Sequence, residues 1–204
     1  MVEASALAGP DTFDRMFEAS DDPWGFRTRW YEERKRDLTL ASLPDRRYGF
    51  AYEPGCANGE LSAALAPRCD RLLVSDIAPA AVALAQQRLA AWPHASAVRA
   101  VVPADWPDEP LALLVLSELA YYLSDAELDL FVDKSRASLG EGGTFVACHW
   151  RHPIPDARRD GDAVHRILDA GLKMTRLVHH LEQDFVLEVW SNDGRSVARR
   201  EAKA

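Results

Sequence analysis

Tyr48-Gly-Phe-Ala-Tyr-Glu-Pro-Gly-Cys-Ala-Asn-Gly-Glu60 decides how this chain is read. The apolar run Phe50-Ala51-Tyr52 ends in an acid, Glu53. A turn bracketed by Gly55 and Gly59 follows, and then a helical pattern from Leu61 to Ala66. The order is strand, tight loop, helix. The two glycines allow positive φ and let a ligand approach the main chain. The helix beyond them offers unpaired N–H groups and the positive end of its dipole to an anionic group. The dinucleotide fingerprint G-x-G-x-x-G fits poorly, because Ala57 holds the middle position and Glu60 stands where the last glycine belongs. A plain βα turn with two capping glycines is the alternative.

Outward from this loop the chain alternates. Arg71 to Asp76 is a second apolar run ending in an acid, and Pro79 opens a helix over Ala80 to Ala91. Ala97 to Val102 reads as a third strand. Leu111 to Leu116, apolar throughout, reads as a central strand buried on both faces. Ser124 or Asp125 starts a helix through Leu139, which Gly140-Glu-Gly-Gly143 stops. Thr144 to Trp150 is a fifth strand and Asp162 to Ala170 a short helix. Lys173 to His180 and Asp184 to Trp190 form a closing strand pair before a polar tail. Before the glycine loop, Met1 to Pro10 is an Ala-rich frayed end. Asp11 or Thr12 caps a helix through Phe17, Ser20 to Gly25 is a turn, and Arg29 to Ser42 is helical. Alternating β and α segments with short loops demand an α/β fold, a parallel sheet with helices on both faces. One domain is expected over residues 1–204, with a helical lid at about 11–43.

The net charge of -8 disfavours a nucleic-acid partner. The three cysteines, Cys56, Cys69 and Cys148, form no CxxC and no zinc-spaced cluster, so no metal is expected. Their low, odd number fits a reducing compartment. With no signal-peptide pattern at Met1 to Pro10 and no apolar run of spanning length, the chain reads as cytoplasmic, with no membrane partner.

In an open α/β sheet, ligands bind beyond the carboxyl ends of the strands. Those ends carry Glu53 with the glycine loop, Asp76, Asp105-Trp106, Ser117-Glu118 with Tyr121-Tyr122, and His149-Trp150-Arg151-His152. Asp76 stands where an acid accepts hydrogen bonds from a ribose diol, a helix N-cap being its bland alternative. Asp105 can accept from an exocyclic adenine amine beside a flat wall at Trp106, or make an Asx turn before Pro107. Glu118, after a buried strand, either binds something or caps the next element.

The motif Glu53–Gly59, Asp76, Asp105-Trp106 and Leu114 to Leu123 together resemble a class I S-adenosylmethionine (SAM) methyltransferase. Three further stretches resemble the nodulation protein S (NodS) family: Phe13 to Lys35, His149 to His165, and Leu177 to Trp190. The resemblance implies a Rossmann-like, mostly parallel seven-stranded sheet with an antiparallel last strand, and SAM as methyl donor. NodS itself is similar to an N-methyltransferase acting on the free amine of a deacetylated chito-oligosaccharide. A small-molecule acceptor, first of all an amine on a sugar or oligosaccharide, is the implied substrate.

Residues expected at the cofactor are Glu53, Gly55, Cys56, Ala57, Gly59, Asp76, Ile77, Asp105, Trp106, Ser117 and Glu118. An attacking amine must present a lone pair, so Glu118, His149 and His152 are the candidate catalytic groups. Trp24, Tyr31, Tyr121, Trp150 and Arg151 are the expected acceptor platform. Tyr31, Arg34 and Lys35 can reach the cofactor's carboxylate or the acceptor, or form a solvated face. Two other readings stay open: a nicotinamide-dependent oxidoreductase, and a non-catalytic module that keeps only the nucleotide pocket.

Overall fold

A computed structural model describes residues 9–202. The frayed end expected before Pro10 lies almost wholly outside them. Seven strands form one sheet: β1 (Tyr48–Pro54), β2 (Cys69–Asp76), β3 (Ala95–Arg99), β4 (Leu111–Ser117), β5 (Leu139–Trp150), β6 (Thr175–Leu181) and β7 (Phe185–Ser191). Their spatial order is β3-β2-β1-β4-β5-β7-β6. The first five run parallel, and β7 lies antiparallel between β5 and β6. The expected seven-stranded Rossmann-like sheet is present, with its single reversed strand.

Strand alternation divides the core between the two faces. Ala51, Leu113, Val115 and Val146 point to one side, with Ala63 from α3 (Glu60–Leu65) and Val82 and Ala85 from α4 (Pro79–Arg88). Tyr52, Leu114, Leu116 and Phe145 point to the other, with Phe131 from α5 (Asp125–Ser138) and Leu168 from α6 (Gly161–Leu172). This period of two, with both sets buried, is why β4 reads as a continuous apolar run. The α5 start is a capping box, in which Ser124 and Glu127 satisfy each other's backbone N–H groups.

Two expectations change. Gly140 to Gly143 do not stop a helix, since α5 ends at Ser138 and β5 begins at once. Leu111 pairs with Leu139 and Leu113 with Thr144, so the glycines are a bulge within the strand. Gly142 has φ +77°, and a Cβ at Gly143 would stand 2.9 Å from the Gly140 carbonyl oxygen. The polar tail holds a short helix, α7 (Val197–Glu201), where Arg200 pairs with Asp45 and Asp193. At the other end, α1 (Pro10–Ala19) starts from Gly9 rather than Asp11 or Thr12, and α2 (Trp30–Ser42) follows an extended turn.

Candidate active site

The chain runs outward over β1, β2 and β3, then returns to β4 on the other side of β1. This reversal opens a crevice at the carboxyl ends of β1 and β4. A cavity of about 590 Å³ lies there, within the usual range for small-molecule sites. It is continuous from the glycine loop and Asp76 to Glu118, Tyr121 and Trp150.

The amides of the glycine loop are used within the fold, mostly on the end of β2. Gly55 and Cys56 both donate to the Ser75 carbonyl, at 2.7 and 2.9 Å, and Gly59 donates to the Cys56 carbonyl at 2.9 Å. Ala57 N–H donates to Asp76 Oδ2 at 3.0 Å, and Asp76 Oδ1 accepts from Ala78 N–H at 3.0 Å. Asp76 thus ties the loop to the start of α4 while facing the cavity. Ala57 has φ +50°, a left-handed conformation usually left to glycine. At Gly55 (φ +73°) a Cβ would stand 3.3 Å from Leu119, so the glycine keeps the β1 and β4 ends close together.

Glu53 is buried beneath this loop, and its Oε2 has no hydrogen-bond partner among the described residues. Burial pushes its carboxyl up to about 8, helped by the nearby Asp76 charge. An unpartnered buried acceptor facing a cavity fits a ligand donor.

Residues 21–27 cover the loop. Asn58 Nδ2 donates to the Asp21 carbonyl at 3.1 Å and to Asp22 Oδ1 at 3.0 Å, and Arg27 bonds Glu60 at 3.0 Å. Above it, Phe17 meets Trp24 edge to face and Phe26 lies tilted against Trp24. Across the opening, Phe13 meets Tyr122 with ring centres 5.2 Å apart.

At the far end Glu118 takes φ +54°, a strained conformation that costs roughly 1–3 kcal/mol and persists only where surroundings enforce it. Its Oε2 accepts from Tyr121 OH at 2.7 Å and Trp150 N–H at 2.9 Å. Its Oε1 meets Lys35 Nζ at 2.7 Å, and Lys35 also pairs with Glu32 at 2.9 Å. Glu32 and Lys35 come from α2 and are buried. Burial alone would lower the Lys35 ammonium, but the Glu118 and Glu32 charges outweigh it and hold it above its ordinary range. Glu32 was missed from the sequence. Its signal was the i, i+3 spacing to Lys35, which resembles an ordinary surface pair.

Gly55, Cys56, Ala57, Asp76, Ile77, Ser117, Glu118, Trp24, Tyr121 and Trp150 reach the cavity as the sequence predicts, and Glu53 closes its floor. Others do not. Asp105 is exposed and accepts from Val101 N–H at 2.8 Å, a turn closure rather than an adenine contact. Trp106 packs on Tyr52 and Phe131 in the core, so it is not a cavity wall. Gly59 lies behind the loop, against Ala85. His149 is fully buried, and its Nε2 accepts from Ala120 N–H at 3.3 Å. Burial pushes that imidazole well below its ordinary value, and it is not a surface-accessible base. His152 pairs with Asp184 at 2.8 Å and Arg151 with Asp162 at 2.8 Å, both away from the cavity. Tyr31 stacks edge to face on Trp150 and Phe185, behind the lining. Arg34 is taken up by Glu182.

Among the described residues no helix is long and apolar enough to cross a membrane.

Comparison with known proteins gives a consistent picture. The family model for nodulation protein S (NodS) matches residues 10–146. The Nodulation protein S of Rhizobium tropici is 35% identical over 130 residues, 63% of this chain and 55% of that protein. The match thus spans about half the length of this curated relative. Among solved structures, a Pseudomonas syringae chain provisionally assigned as a methyltransferase is 52% identical, with TM-score 0.72 over 80% of this chain and 99% of that one. The N-methyltransferase NodS from Bradyrhizobium japonicum WM9, in complex with S-adenosyl-L-homocysteine, is 27% identical. Its TM-score is 0.78 over 90% of this chain and 97% of that one.

Proposed function

The chain belongs to the nodulation protein S family, and from that premise we propose that it is a SAM-dependent methyltransferase of small-molecule amines, first of all an amine on a sugar or oligosaccharide. The observation that carries the reading is one cavity joining the Glu53–Gly59 loop and Asp76 to Glu118. Glu53 offers a buried acceptor to a ligand donor. Asp76 keeps lone pairs, beside its two backbone bonds, for vicinal hydroxyls. Gly55 lets Leu119 pack against the loop and so holds the two strand ends together at the crevice. These groups fit a nucleoside bearing an amino-acid tail. When bound, the sulfonium supplies an electrophilic methyl group.

The spent amides argue against the nicotinamide reading. A loop that cradles a pyrophosphate keeps N–H groups free to donate. Here Gly55, Cys56, Ala57 and Gly59 all have partners within the fold.

The acceptor lies toward Tyr121, Tyr122 and Trp150, whose rings suit a flat or sugar-like face. Glu118 receives an N–H of the acceptor amine and stabilises the positive charge that grows on nitrogen. The cover of Phe17, Trp24 and Phe26 excludes water from the transfer. The sugar reading rests on the family and on the N-methyltransferase name of the Bradyrhizobium NodS. A cytoplasmic setting agrees with three free, buried cysteines.

Calorimetric titration with S-adenosylhomocysteine (SAH) and with NAD tests the cofactor. Micromolar binding of SAH and none of NAD is expected; binding of NAD alone overturns the assignment. Methyl transfer to glucosamine oligomers, compared with their N-acetylated forms, tests the acceptor. Methylation confined to hydroxyls sinks the amine reading.

A further inference from the structure

Ala120 is held at both ends of its backbone from outside the turn that carries it. Glu118, Leu119 and the single 3-10 turn Ala120–Tyr122 follow β4, and Glu118, Tyr121 and Tyr122 line the cavity. A turn this short cannot satisfy its own first N–H groups, and Ala120 is fully buried from solvent. Its N–H donates to His149 Nε2 at 3.3 Å, and its carbonyl accepts from Arg159 Nη1 at 3.2 Å. The next residue, Tyr121, packs its ring edge to face on His149 and donates its hydroxyl to Glu118. Glu118 itself is strained at φ +54° and needs its surroundings to stay there. Where Ala120 sits therefore sets where Tyr121 and Glu118 meet.

We propose that Glu188, on β7, positions Tyr121 and Glu118 for methyl transfer by locking the tautomers of His165 and His149. The proposal deepens the methyltransferase reading above, whose acceptor end those two groups line. The lock works by counting donors. Arg176 donates to Glu188 Oε1 at 2.6 Å, which leaves Oε2 for His165. A carboxylate only accepts, so His165 Nδ1 carries its proton and Nε2 keeps a lone pair. His149 must then donate from Nδ1, and its Nε2 lone pair is aimed at Ala120 N–H. In the other tautomer His149 would present an N–H to an N–H and push the turn off its seat. Glu188, His165 and His149 are 2%, 4% and 0% exposed, so water cannot relieve the mismatch. None of the three lines the cavity, and their role is to position the groups that do.

Glu188→Gln keeps the shape and breaks the lock. Arg176 is always a donor and claims the amide oxygen, so the amide NH2 faces His165 and reverses both tautomers. Nitrogen-15 NMR of the imidazoles in the full-length protein reads this directly. The proton is expected on Nδ1 of both rings in the unmodified protein and on Nε2 of both in Glu188→Gln, with the Ala120 and Tyr121 amide resonances shifted. Removing Arg176 as well frees the amide to turn its oxygen to His165. Glu188→Gln combined with Arg176→Met is therefore expected to restore the original tautomers and resonances. Transfer is measured with SAM and glucosamine oligomers. In Glu188→Gln, kcat is expected to fall about tenfold or more, with SAH affinity within about threefold, and to recover in the double variant. If Glu188→Gln does not fold, His149→Gln, whose amide oxygen can accept from Ala120, is compared with His149→Leu, which has no acceptor. Only the second is expected to move Tyr121 and lower kcat. Unchanged tautomers in Glu188→Gln overturn the proposal, as do reversed tautomers with the Tyr121 resonance and kcat unmoved. An unmodified protein that methylates none of the oligomers overturns the acceptor reading instead, and the tautomers and the Tyr121 resonance then decide the lock by themselves.

Discussion

The imidazoles of His149 and His165 lie 3.1 Å apart in the core, Nδ1 to Nε2. His149 Nε2 accepts from Ala120 N–H, so its Nδ1 carries the proton and donates to His165 Nε2. His165 Nδ1 in turn donates to Glu188 Oε2 at 2.7 Å. Arg176 and His179 of β6 close the other side of Glu188. Every nitrogen is used once with both imidazoles neutral. The chain runs from the sheet edge to Ala120, within the segment that presents Glu118 and Tyr121.

Removing one link leaves buried partners unsatisfied. His165→Ala strips a donor from Glu188 and an acceptor from His149, and opens a cavity. A loss of about 3 kcal/mol is expected in urea unfolding. The pH dependence follows from His149, whose folded-state value burial holds below the ordinary 6.5. The unfolded state then binds the proton first. Stability is full above about pH 6.5 and falls as pH drops below it. Because the Glu53 carboxyl contributes a slope of opposite sign over the same range, the check is made in a Glu53→Gln background, where a flat unfolding profile from pH 7 to 5 would contradict this arrangement.

Glu53 gives the opposite sign. Its carboxyl is pushed from 4.5 to about 8 by burial, so the folded state holds the proton while the unfolded state has lost it. The contribution is fully present below pH 4.5 and declines as pH rises toward 8, by roughly 3 kcal/mol at pH 7. Glu53→Gln is expected to remove this slope and to raise stability at pH 8. A cationic donor on the ligand should expel the proton. SAH binding at pH 7 is therefore expected to release close to one proton, read as a dependence of the calorimetric heat on buffer ionisation enthalpy. No buffer dependence would mean that Glu53 meets no cation.

Much of this was legible in the sequence because strong local signals and global topology agree. Pro79, the all-apolar β4 and the Glu53–Gly59 loop each fixed an element, and the βα alternation fixed the sheet. Tyr121, Trp150 and Asp76 followed, since strand ends meet at the crevice. What failed depended on side-chain direction. His149 and Trp150 are neighbours in sequence, yet a strand sends them to opposite faces, one into the core and one to the cavity. Asp105 and Trp106 stand at the right strand end, but the turn closed by Val101 N–H holds Asp105 outward. Gly140 to Gly143 look the same as a helix stop or a bulge, and only pairing across β4 decides. Glu32 was hidden because nothing local marks a buried acid on a charged helix.

The glycine loop carries a paired prediction. Gly59 has φ +81°, and a Cβ there would stand 3.0 Å from the Ala85 Cα, which is backbone and cannot yield. Gly59→Ala is expected to cost about 2–3 kcal/mol, combining a left-handed alanine with a forced separation of α3 from α4. Ala57 already takes φ +50°. Ala57→Gly relieves that strain, about 1 kcal/mol, against a gain in unfolded-state freedom of similar size. It should leave the melting temperature nearly unchanged. Equal losses at both positions would show that φ alone, and not the Ala85 contact, governs the loop.

Asp76 serves two ends, and a single substitution confounds them. Its carboxylate anchors Ala57 and Ala78 through backbone bonds of 3.0 Å each, so Asp76→Ala loosens the loop whatever the ligand. It also faces the cavity, where two charged hydrogen bonds to vicinal hydroxyls would contribute roughly 3 kcal/mol, near a hundredfold in affinity. A cycle with a ligand lacking the diol separates the two. Wild-type protein should bind SAH about a hundredfold more tightly than its 2′,3′-dideoxy analogue. Asp76→Ala should bind both weakly and almost equally, because the carboxylate that told them apart is gone. If the variant keeps the full preference for the diol, Asp76 is a loop anchor only, and the hydroxyls find their acceptor elsewhere on the cavity wall.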